Sequence, residues 1–321
     1  MKLAKIKNSI TYWITILIGR LTRASIDASI KRFILTKIYY PYCAWRKFDV
    51  EGETFFGATM HLSLADALQT NIFLSGYWEP AITKIIEKTL SKDDIFIDIG
   101  ANIGYYTLLA SELVGKKGKV YAFEASPKIY NQLQRNISKN GINNTNLFNA
   151  AISNHTGSTW IWSAPEGNAG HSTIMDNVAA QDGHTREAEV PCGTIEQFVP
   201  KIDLTSARLI KIDIEGAERL AIEGILQYFA EFSNQTEWII ELSPNCAPGG
   251  MKDIDWIFST FITAGFKAYR IYNSYSNMLD DSLSPSTYQL DIIKSPPTDL
   301  VYDVFFSKTE FTSDHLQKQS G

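Results

Sequence analysis

The chain has 321 residues, of which 45% are hydrophobic and 20% are charged, and its formal net charge at pH 7 is −5. This composition excludes a disordered chain, and the length allows one large or two modest domains with a hydrophobic core. The three cysteines, Cys43, Cys192 and Cys246, exclude a disulfide framework and lack a metal-binding spacing, so we expect reduced thiols in a cytoplasmic protein.

The first 47 residues differ from the rest of the chain in charge. They hold ten lysines and arginines and one acid, Asp27, which gives this segment a net charge of +9 and leaves −14 for the remainder. An acidic body argues against a nucleic-acid-binding protein. The apolar run 10–18 would form a helix of about 14 Å, which is too short for the roughly 30 Å core of a bilayer.

Apolar residues recur at helical spacing over 26–38, beside Lys31, Arg32 and Lys37. This pattern predicts an amphipathic helix. One interpretation is a basic helical extension that packs on the body or forms a homo-oligomer contact. The other is a peripheral contact with the anionic inner face of a membrane. We favour the first for residues 1–75 and take residues 76–321 as the main domain.

From residue 80 onward, short apolar segments alternate with segments of helical periodicity. The apolar segments predict seven strands, at 95–99, 119–123, 146–149, 209–212, 238–242, 266–271 and 301–306. Helices are predicted over 103–114, 127–139 and 253–264 and from 217, whereas 153–207 is expected to be irregular. The alternation predicts an α/β fold with a mostly parallel sheet and helices on both faces, in which ligands bind at the carboxyl ends of the strands.

A glycine-rich turn, 98–104 (DIGANIG), follows the first predicted strand. Gly100, Ala101 and Gly104 allow a ligand to approach the backbone closely. The turn departs from the GxGxxG dinucleotide fingerprint, and the chain has no GxxxxGK[ST] phosphate loop. Because Asp98 would repel a diphosphate, it favours a ligand that carries an ammonium or sulfonium group.

Glu124 ends the second predicted strand, 24 residues after Gly100. A carboxylate at this distance can accept hydrogen bonds from both hydroxyls of a ribose. Together, Asp98 and Glu124 predict an adenosine ligand with a cationic tail, which is S-adenosylmethionine.

Several segments resemble the FkbM-type S-adenosylmethionine-dependent methyltransferases. They are 77–80 (YWEP), 98–106 (DIGANIGYY), 120–124 (VYAFE) with Pro127, 149–152 (NAAI) and 210–218 (IKIDIEGAE). The resemblance covers the chain from about residue 77 to about residue 242, extends more loosely to 306, and leaves residues 1–75 outside. It implies a Rossmann-like class I methyltransferase fold, and many such enzymes methylate hydroxyls of sugars or glycosylated natural products.

The resemblance also implies where S-adenosylmethionine would bind. Glu124 would hold the ribose, and Glu79 would reach the amino group. The methionine end would lie along Asp98, Gly100, Ala101, Asn102 and Gly104. The adenine would be bordered by Ala125, Ser126, Ala151 and Ile152.

Asp213, Glu241 and His171 are the candidates for catalysis. An alkyl hydroxyl becomes a good nucleophile when a base within about 3 Å takes its proton. Asp213 and Glu241 end the fourth and fifth strands, which are adjacent in this fold, and we favour Asp213 as the base with Glu241 binding substrate hydroxyls. The alternative is a divalent metal held by Asp213, Glu241 and His171. His171, in a polar segment, is also the histidine best placed to act as a base.

We therefore expect an S-adenosylmethionine-dependent methyltransferase that acts on a sugar or glycan hydroxyl without a metal site. Two alternatives remain, a methyltransferase for a soluble small molecule or a protein, and a catalytically silent scaffold that keeps the cofactor fold. The intact 98–106 and 210–218 motifs argue against the scaffold.

Overall fold

The computed structural model describes residues 10–24, 26–44, 47–165, 172–181, 183–273 and 290–310. The chain forms two compact units, which divide between Pro80 and Ala81. The first unit holds the basic N-terminal segment, and the second holds the glycine-rich turn and the acids that follow the predicted strands.

The N-terminal unit combines helices with a β-hairpin. Its helices are α1 (Ile10–Arg23), α2 (Ala28–Ile34), a π-helix (Leu35–Tyr39), α3 (Tyr40–Tyr42) and α4 (Ala67–Ser75). Its strands, β1 (Asp49–Glu53) and β2 (Thr59–Ser63), pair in antiparallel fashion. Buried residues alternate with more exposed ones along both strands. Since this period of two is typical of a strand with one covered face, the expectation of an entirely helical extension is wrong for the hairpin.

Helix α1 packs on α4 through a close contact at Gly19. A Cβ atom at Gly19 would lie 2.4 Å from Cζ of Phe73 in α4, so a larger residue there would have to displace the Phe73 ring. The buried side of α1 also carries Thr15 and Thr22, whose hydroxyls donate hydrogen bonds to the carbonyls of Thr11 and Ile18, one turn earlier. The side of α1 that faces its own unit therefore combines the apolar residues Tyr12 and Ile18 with two threonines and a glycine.

The centre of the second unit is an eight-stranded sheet. Its strands are β3 (Ile95–Ile99), β4 (Lys119–Phe123), β5 (Thr145–Phe148), β9 (Leu209–Ile212), β10 (Glu237–Leu242), β11 (Lys267–Ile271), β12 (Leu290–Ile293) and β13 (Tyr302–Ser307). They lie in the order β12, β11, β13, β10, β9, β3, β4, β5. The last five are parallel, β13 is antiparallel to β10 and β11, and β12 is antiparallel to β11.

Seven helices accompany the strands from residue 80 onward. They are α5 (Pro80–Thr89), α6 (Tyr105–Val114), α7 (Pro127–Lys139), α8 (Asp176–Gln181), α9 (Lys201–Thr205), α10 (Glu218–Ile225) and α11 (Met251–Thr263), with 3-10 turns at Ile195–Gln197 and Leu226–Tyr228 among the described residues. Trp238, Phe261 and Phe306 are fully buried and pack ring against ring, which joins β10 and β13 to α11.

The predicted α/β fold and each of the seven predicted strands are confirmed. The expected strand number is wrong by one, because β12 adds an eighth strand at the edge of the sheet. It has only four residues, is partly exposed, and contains Asp291, so it lacks the continuous apolar run of a buried strand.

A smaller sheet lies within the stretch that was expected to be irregular. It consists of β6 (Ala151–Ile152), β7 (Gly157–Ser163) and β8 (Thr185–Gly193), with β8 in the middle. Most residues of β7 are exposed or half-buried, and its apolar residues are confined to Trp160, Ile161 and Trp162. The expectation of irregular structure over 153–207 is therefore wrong, because so short an apolar run lacks the pattern of a buried strand.

The order of the parallel strands creates a crevice. From β3, the strands β4 and β5 follow in order toward one edge of the sheet, whereas β9 and β10 lie on the other side of β3. Right-handed crossovers in opposite directions put helices on both faces of the sheet. The point of reversal, between β3 and β9, leaves a crevice at the carboxyl ends of these strands.

Candidate functional site

Two glycines shape the turn between β3 and α6. Gly100 has φ +90°, and a Cβ atom there would lie 1.8 Å from the carbonyl oxygen of Asp213, just after β9. Gly104 has φ +92°, and a Cβ atom there would lie 2.5 Å from Cδ1 of Leu133 in α7. Because glycine alone tolerates these φ angles without strain, Gly100 brings the β3 turn against the end of β9 and Gly104 brings it against α7.

Asp98 is fully buried near the end of β3. Its Oδ2 accepts a 2.6 Å hydrogen bond from the hydroxyl of Thr107, whereas its Oδ1 has no hydrogen-bond partner among the described residues. Burial raises the pKa of Asp98, and the nearby ammonium of Lys211 opposes this rise. A buried carboxyl oxygen without a donor is unfavourable, so this position suits a ligand that brings positive charge.

A cavity opens at the carboxyl ends of β3, β4 and β9. Its volume is about 610 Å³ with the open solvent of its mouth included. The predicted residues that line it are Gly100, Asn102, Glu124, Ala125, Ala151, Ile152 and Asp213. The cavity thus brings together groups from four separate parts of the predicted site.

Glu124 is fixed at the cavity wall by two backbone groups. Its Oε2 accepts a 2.9 Å hydrogen bond from the amide of Asn102, and its Oε1 accepts a 2.8 Å bond from the amide of Ser126. Burial raises the pKa of Glu124 to about 7. Each carboxylate oxygen can accept more than one hydrogen bond, so two hydroxyls of a ribose can still be accepted.

Four of the predicted cofactor residues support the cavity without lining it. Asp98 is buried, and Ala101 and Gly104 shape the turn. The Ser126 hydroxyl caps α7 by accepting from the amide of Ile129, and it donates to the carboxylate of Glu187. The hydroxyl of Ser126 therefore stabilises the start of α7 as its N-cap.

Three acids lie close together after β9 and in β10. Carboxylate oxygens of Asp213, Glu215 and Glu241 lie within 4.8 Å of one another. Glu215 has φ +52° and is buried, and burial together with the charge of Asp213 raises its pKa well above the usual value. This spacing is also close enough for a divalent cation, the alternative named from the sequence.

Lys211 supplies positive charge to this acidic group. It lies in β9 with a side chain only 2% exposed, and its Nζ donates a 2.7 Å hydrogen bond to Oδ2 of Asp213. The same Nζ lies 5.1 Å from the centre of the Tyr106 ring. Sequence reasoning missed Lys211, although a lysine between two isoleucines in a buried strand is a signal for an internal partner.

Glu218 holds the loop that carries Glu215. It is the first residue of α10, and its Oε1 accepts from the amides of Ile214 and Gly216. Burial raises the pKa of Glu218 to about 7. Glu218 thus fixes the backbone beside the cavity, in addition to its favourable position at the start of a helix.

The remaining predicted site residues are Glu241, Glu79 and His171, of which Glu241 belongs to the group of three acids. Glu79 belongs to the N-terminal unit, where it is buried with φ +38°. His171 lies outside the described residues. One wall of the cavity is formed by 172–174, where Thr173 pairs with Trp162 and donates a hydrogen bond from its hydroxyl to the carbonyl of Glu215.

Sequence comparisons relate the chain to one protein family and to two known proteins. The family model described as the methyltransferase FkbM domain matches residues 98–257. An uncharacterized protein of Methanocaldococcus jannaschii is 34% identical over 83 residues, which cover 26% of this chain and 31% of that protein. "Methyltransferase 1" of Beauveria bassiana is 23% identical over 148 residues, which cover 41% of this chain and 59% of that protein. The chain therefore spans less than two thirds of either relative.

Solved structures show more distant likenesses. A methyltransferase FkbM from Methylobacillus flagellatus has 14% identity and a TM-score of 0.41, covering 91% of this chain and 59% of that one. A methyltransferase from Streptococcus mutans, solved with SAH, has 15% identity and a TM-score of 0.38, covering 72% and 97%. The family-model match identifies residues 98–257 of the chain as a methyltransferase FkbM domain.

Proposed function

We propose that this protein is an O-methyltransferase that transfers the methyl group of S-adenosylmethionine to a hydroxyl of a sugar or glycan. S-adenosylmethionine is the methyl donor of the family, and when bound it supplies an electrophilic methyl group on a sulfonium centre. The observation that carries the acceptor proposal is the position of Asp213, which lines the cavity and belongs to the group of three acids.

The cavity residues fit the donor from one end to the other. Glu124 would hold the ribose, and the apolar surface of Ala125, Ala151 and Ile152 would border the adenine. The backbone at Gly100 and Asn102 would border the methionine end. The orphaned Oδ1 of buried Asp98 supports this orientation, because it favours a positively charged group nearby.

Asp213 would accept the proton of the attacking hydroxyl. Lys211 holds one oxygen of Asp213, which fixes the carboxylate and leaves its other oxygen for the substrate. Glu241, whose carboxylate lies within the same group, would accept hydrogen bonds from further hydroxyls of the acceptor. A surface rich in carboxylates suits a polyhydroxylated acceptor, since each carboxylate accepts several hydrogen bonds.

We also propose that the reaction takes place in the cytoplasm. The three cysteines are free thiols, which is typical of a reducing compartment. The acids around the cavity would repel the phosphates of a nucleic acid, so the proposal does not include a nucleic-acid acceptor.

The test has two stages. Calorimetric titration with S-adenosylmethionine and S-adenosylhomocysteine, with and without Mg²⁺, should show micromolar binding of about −8 kcal/mol. Transfer from labelled S-adenosylmethionine to a panel of sugars and glycans should then add one methyl group to a hydroxyl. Labelling of amine acceptors only would overturn the acceptor class and leave the donor site standing, whereas no donor binding would support a silent scaffold.

A further inference from the structure

Exposed apolar side chains are concentrated in the first two helical segments. Among the described residues, eighteen large hydrophobic side chains are exposed, and ten of them lie between residues 10 and 42. These ten are Ile10, Trp13, Ile14, Leu17, Leu21, Ile30, Phe33, Ile38, Tyr40 and Tyr42, and we call them the N-terminal patch. A concentration of exposed apolar side chains of this kind is typical of an interaction site.

In α1 the apolar residues of the patch lie on one side of the helix. Positions 10, 13, 14, 17 and 21 follow the 3–4 residue spacing of a single helical face. The opposite face, with Tyr12, Thr15, Ile18, Gly19 and Thr22, is the one that packs inside the unit. Since exposed apolar side chains are unfavourable in water, the outward face of α1 is suited to an apolar environment.

Basic residues lie among the apolar residues of the patch. Arg20 is exposed at the end of α1, and Arg32 and Lys37 are exposed on α2 and the π-helix. Asp27 is the only acid of residues 1–47, and its carboxylate accepts from the amide of Ser29 at the start of α2. The patch is therefore apolar and positively charged, in a chain whose remaining residues carry the negative charge.

The dimensions of these helices define how they could meet a bilayer. Helix α1 has 14 residues, which corresponds to about 21 Å. Within the described part of the chain, no helix is both long and apolar enough to cross a membrane. An amphipathic helix of this length lies along the interface instead, with its apolar side chains between the headgroups and the acyl chains.

We propose that the N-terminal patch binds the surface of an anionic lipid bilayer. Trp13, Tyr40 and Tyr42 would lie at headgroup level, where aromatic side chains are favoured. Arg20, Arg32 and Lys37 would meet lipid phosphates, each strengthening binding about fivefold. A second copy of the chain fits less well, because a twofold contact would place this positive surface against itself.

The experiment is flotation of the full chain with vesicles. Vesicles of phosphatidylcholine with phosphatidylglycerol should carry the protein to the top of the gradient, and phosphatidylcholine alone should carry much less. The double variant Trp13→Glu, Leu17→Glu should bind the anionic vesicles at least tenfold more weakly, since two apolar side chains lose their burial. The matched control Ile202→Glu, Ile262→Glu changes exposed apolar residues elsewhere and should float like the wild type.

A second readout does not depend on how the glutamate variant folds. Lipids brominated in the acyl chain should quench part of the tryptophan emission of the wild type, and Trp13→Phe should remove that part. Arg32→Gln with Lys37→Gln should lower binding by about 25-fold and reduce the preference for anionic vesicles. Failure of the wild type to float with anionic vesicles would overturn the proposal, and so would a dimer that Trp13→Glu dissociates.

Discussion

Lys211 and Asp213 form an ion pair with a 2.7 Å separation between Nζ and Oδ2, although the lysine side chain is only 2% exposed. A buried ammonium is costly unless it is paired. Here it lies beside the acids Asp213 and Glu215, and its charge also acts on buried Asp98. One lysine therefore offsets negative charge on both the donor side and the proposed acceptor side of the cavity.

The first prediction concerns this lysine. Lys211→Met should lower the free energy of unfolding by about 2–3 kcal/mol, less than for a fully buried pair, because the Asp213 side chain is 29% exposed. Urea unfolding at pH 7 measures the loss. The control is Lys201→Met, whose ion pair with Glu231 is exposed on both sides and should cost much less stability. Equal losses in the two variants would contradict a special role for Lys211.

The second prediction concerns the proposed base. Asp213→Asn should leave the dissociation constant for S-adenosylmethionine within a few-fold and lower kcat by about 10²–10⁴. Calorimetry and initial rates on an accepted hydroxyl substrate measure the two quantities. Asp255→Asn, an exposed acid on α11, is the control and should change neither. Unchanged turnover in Asp213→Asn would remove this aspartate from the proton transfer.

The third prediction concerns pH. The pKa of Glu124 in the folded protein, about 7, lies above its ordinary value of 4.5, so the folded state binds more protons than the unfolded chain between these pH values. The stability that Glu124 contributes is therefore present below pH 4.5 and is lost as the pH rises to about 7, by about 2–3 kcal/mol.

Urea unfolding of the ligand-free protein at pH 5 and pH 7.5 tests this dependence. Glu124→Gln should reduce the difference in unfolding free energy between the two pH values, because glutamine does not titrate. Glu112→Gln, which changes an exposed side chain, should keep the wild-type difference. If the wild type and Glu124→Gln showed the same difference in unfolding free energy between the two pH values, the raised pKa of Glu124 would be contradicted.

The fourth prediction separates steric contact from backbone strain. Gly100 and Gly265 have nearly equal φ angles, +90° and +89°, but only at Gly100 would a Cβ atom meet another group, the Asp213 carbonyl at 1.8 Å. Gly265→Ala should cost about 1–2 kcal/mol from the φ angle alone. Gly100→Ala should cost more than about 3 kcal/mol or prevent folding, and thermal unfolding compares the two.

Sequence patterns predicted the parts of the fold that hydrophobicity controls. Seven strands of the large sheet are apolar runs, and the turn at Gly100 and Gly104 follows from the conformations that only glycine adopts. Strand β12 and the hairpin were missed because one face of each meets solvent, so polar residues interrupt the pattern.

The site was harder to predict because its contacts join distant parts of the chain. Spacing indicates that Glu124 follows a strand, but not that its oxygens accept from Asn102 and Ser126. The pairing of Lys211 with Asp213, and the wall formed by Thr173, depend on how strands and loops meet in three dimensions. The roles of Asp213, Glu241, His171 and Glu79 stay predictions.

The two hydrogen bonds that Glu124 accepts from backbone amides have a consequence for selectivity among nucleosides. Folding has already restricted the rotamers of this side chain, so a ligand does not have to order it on binding. A carboxylate held rigidly as a hydrogen-bond acceptor also adapts poorly to altered ligand geometry. We therefore expect the protein to discriminate strongly against 2′-deoxy and 3′-deoxy analogues of S-adenosylhomocysteine, which cannot satisfy both oxygens.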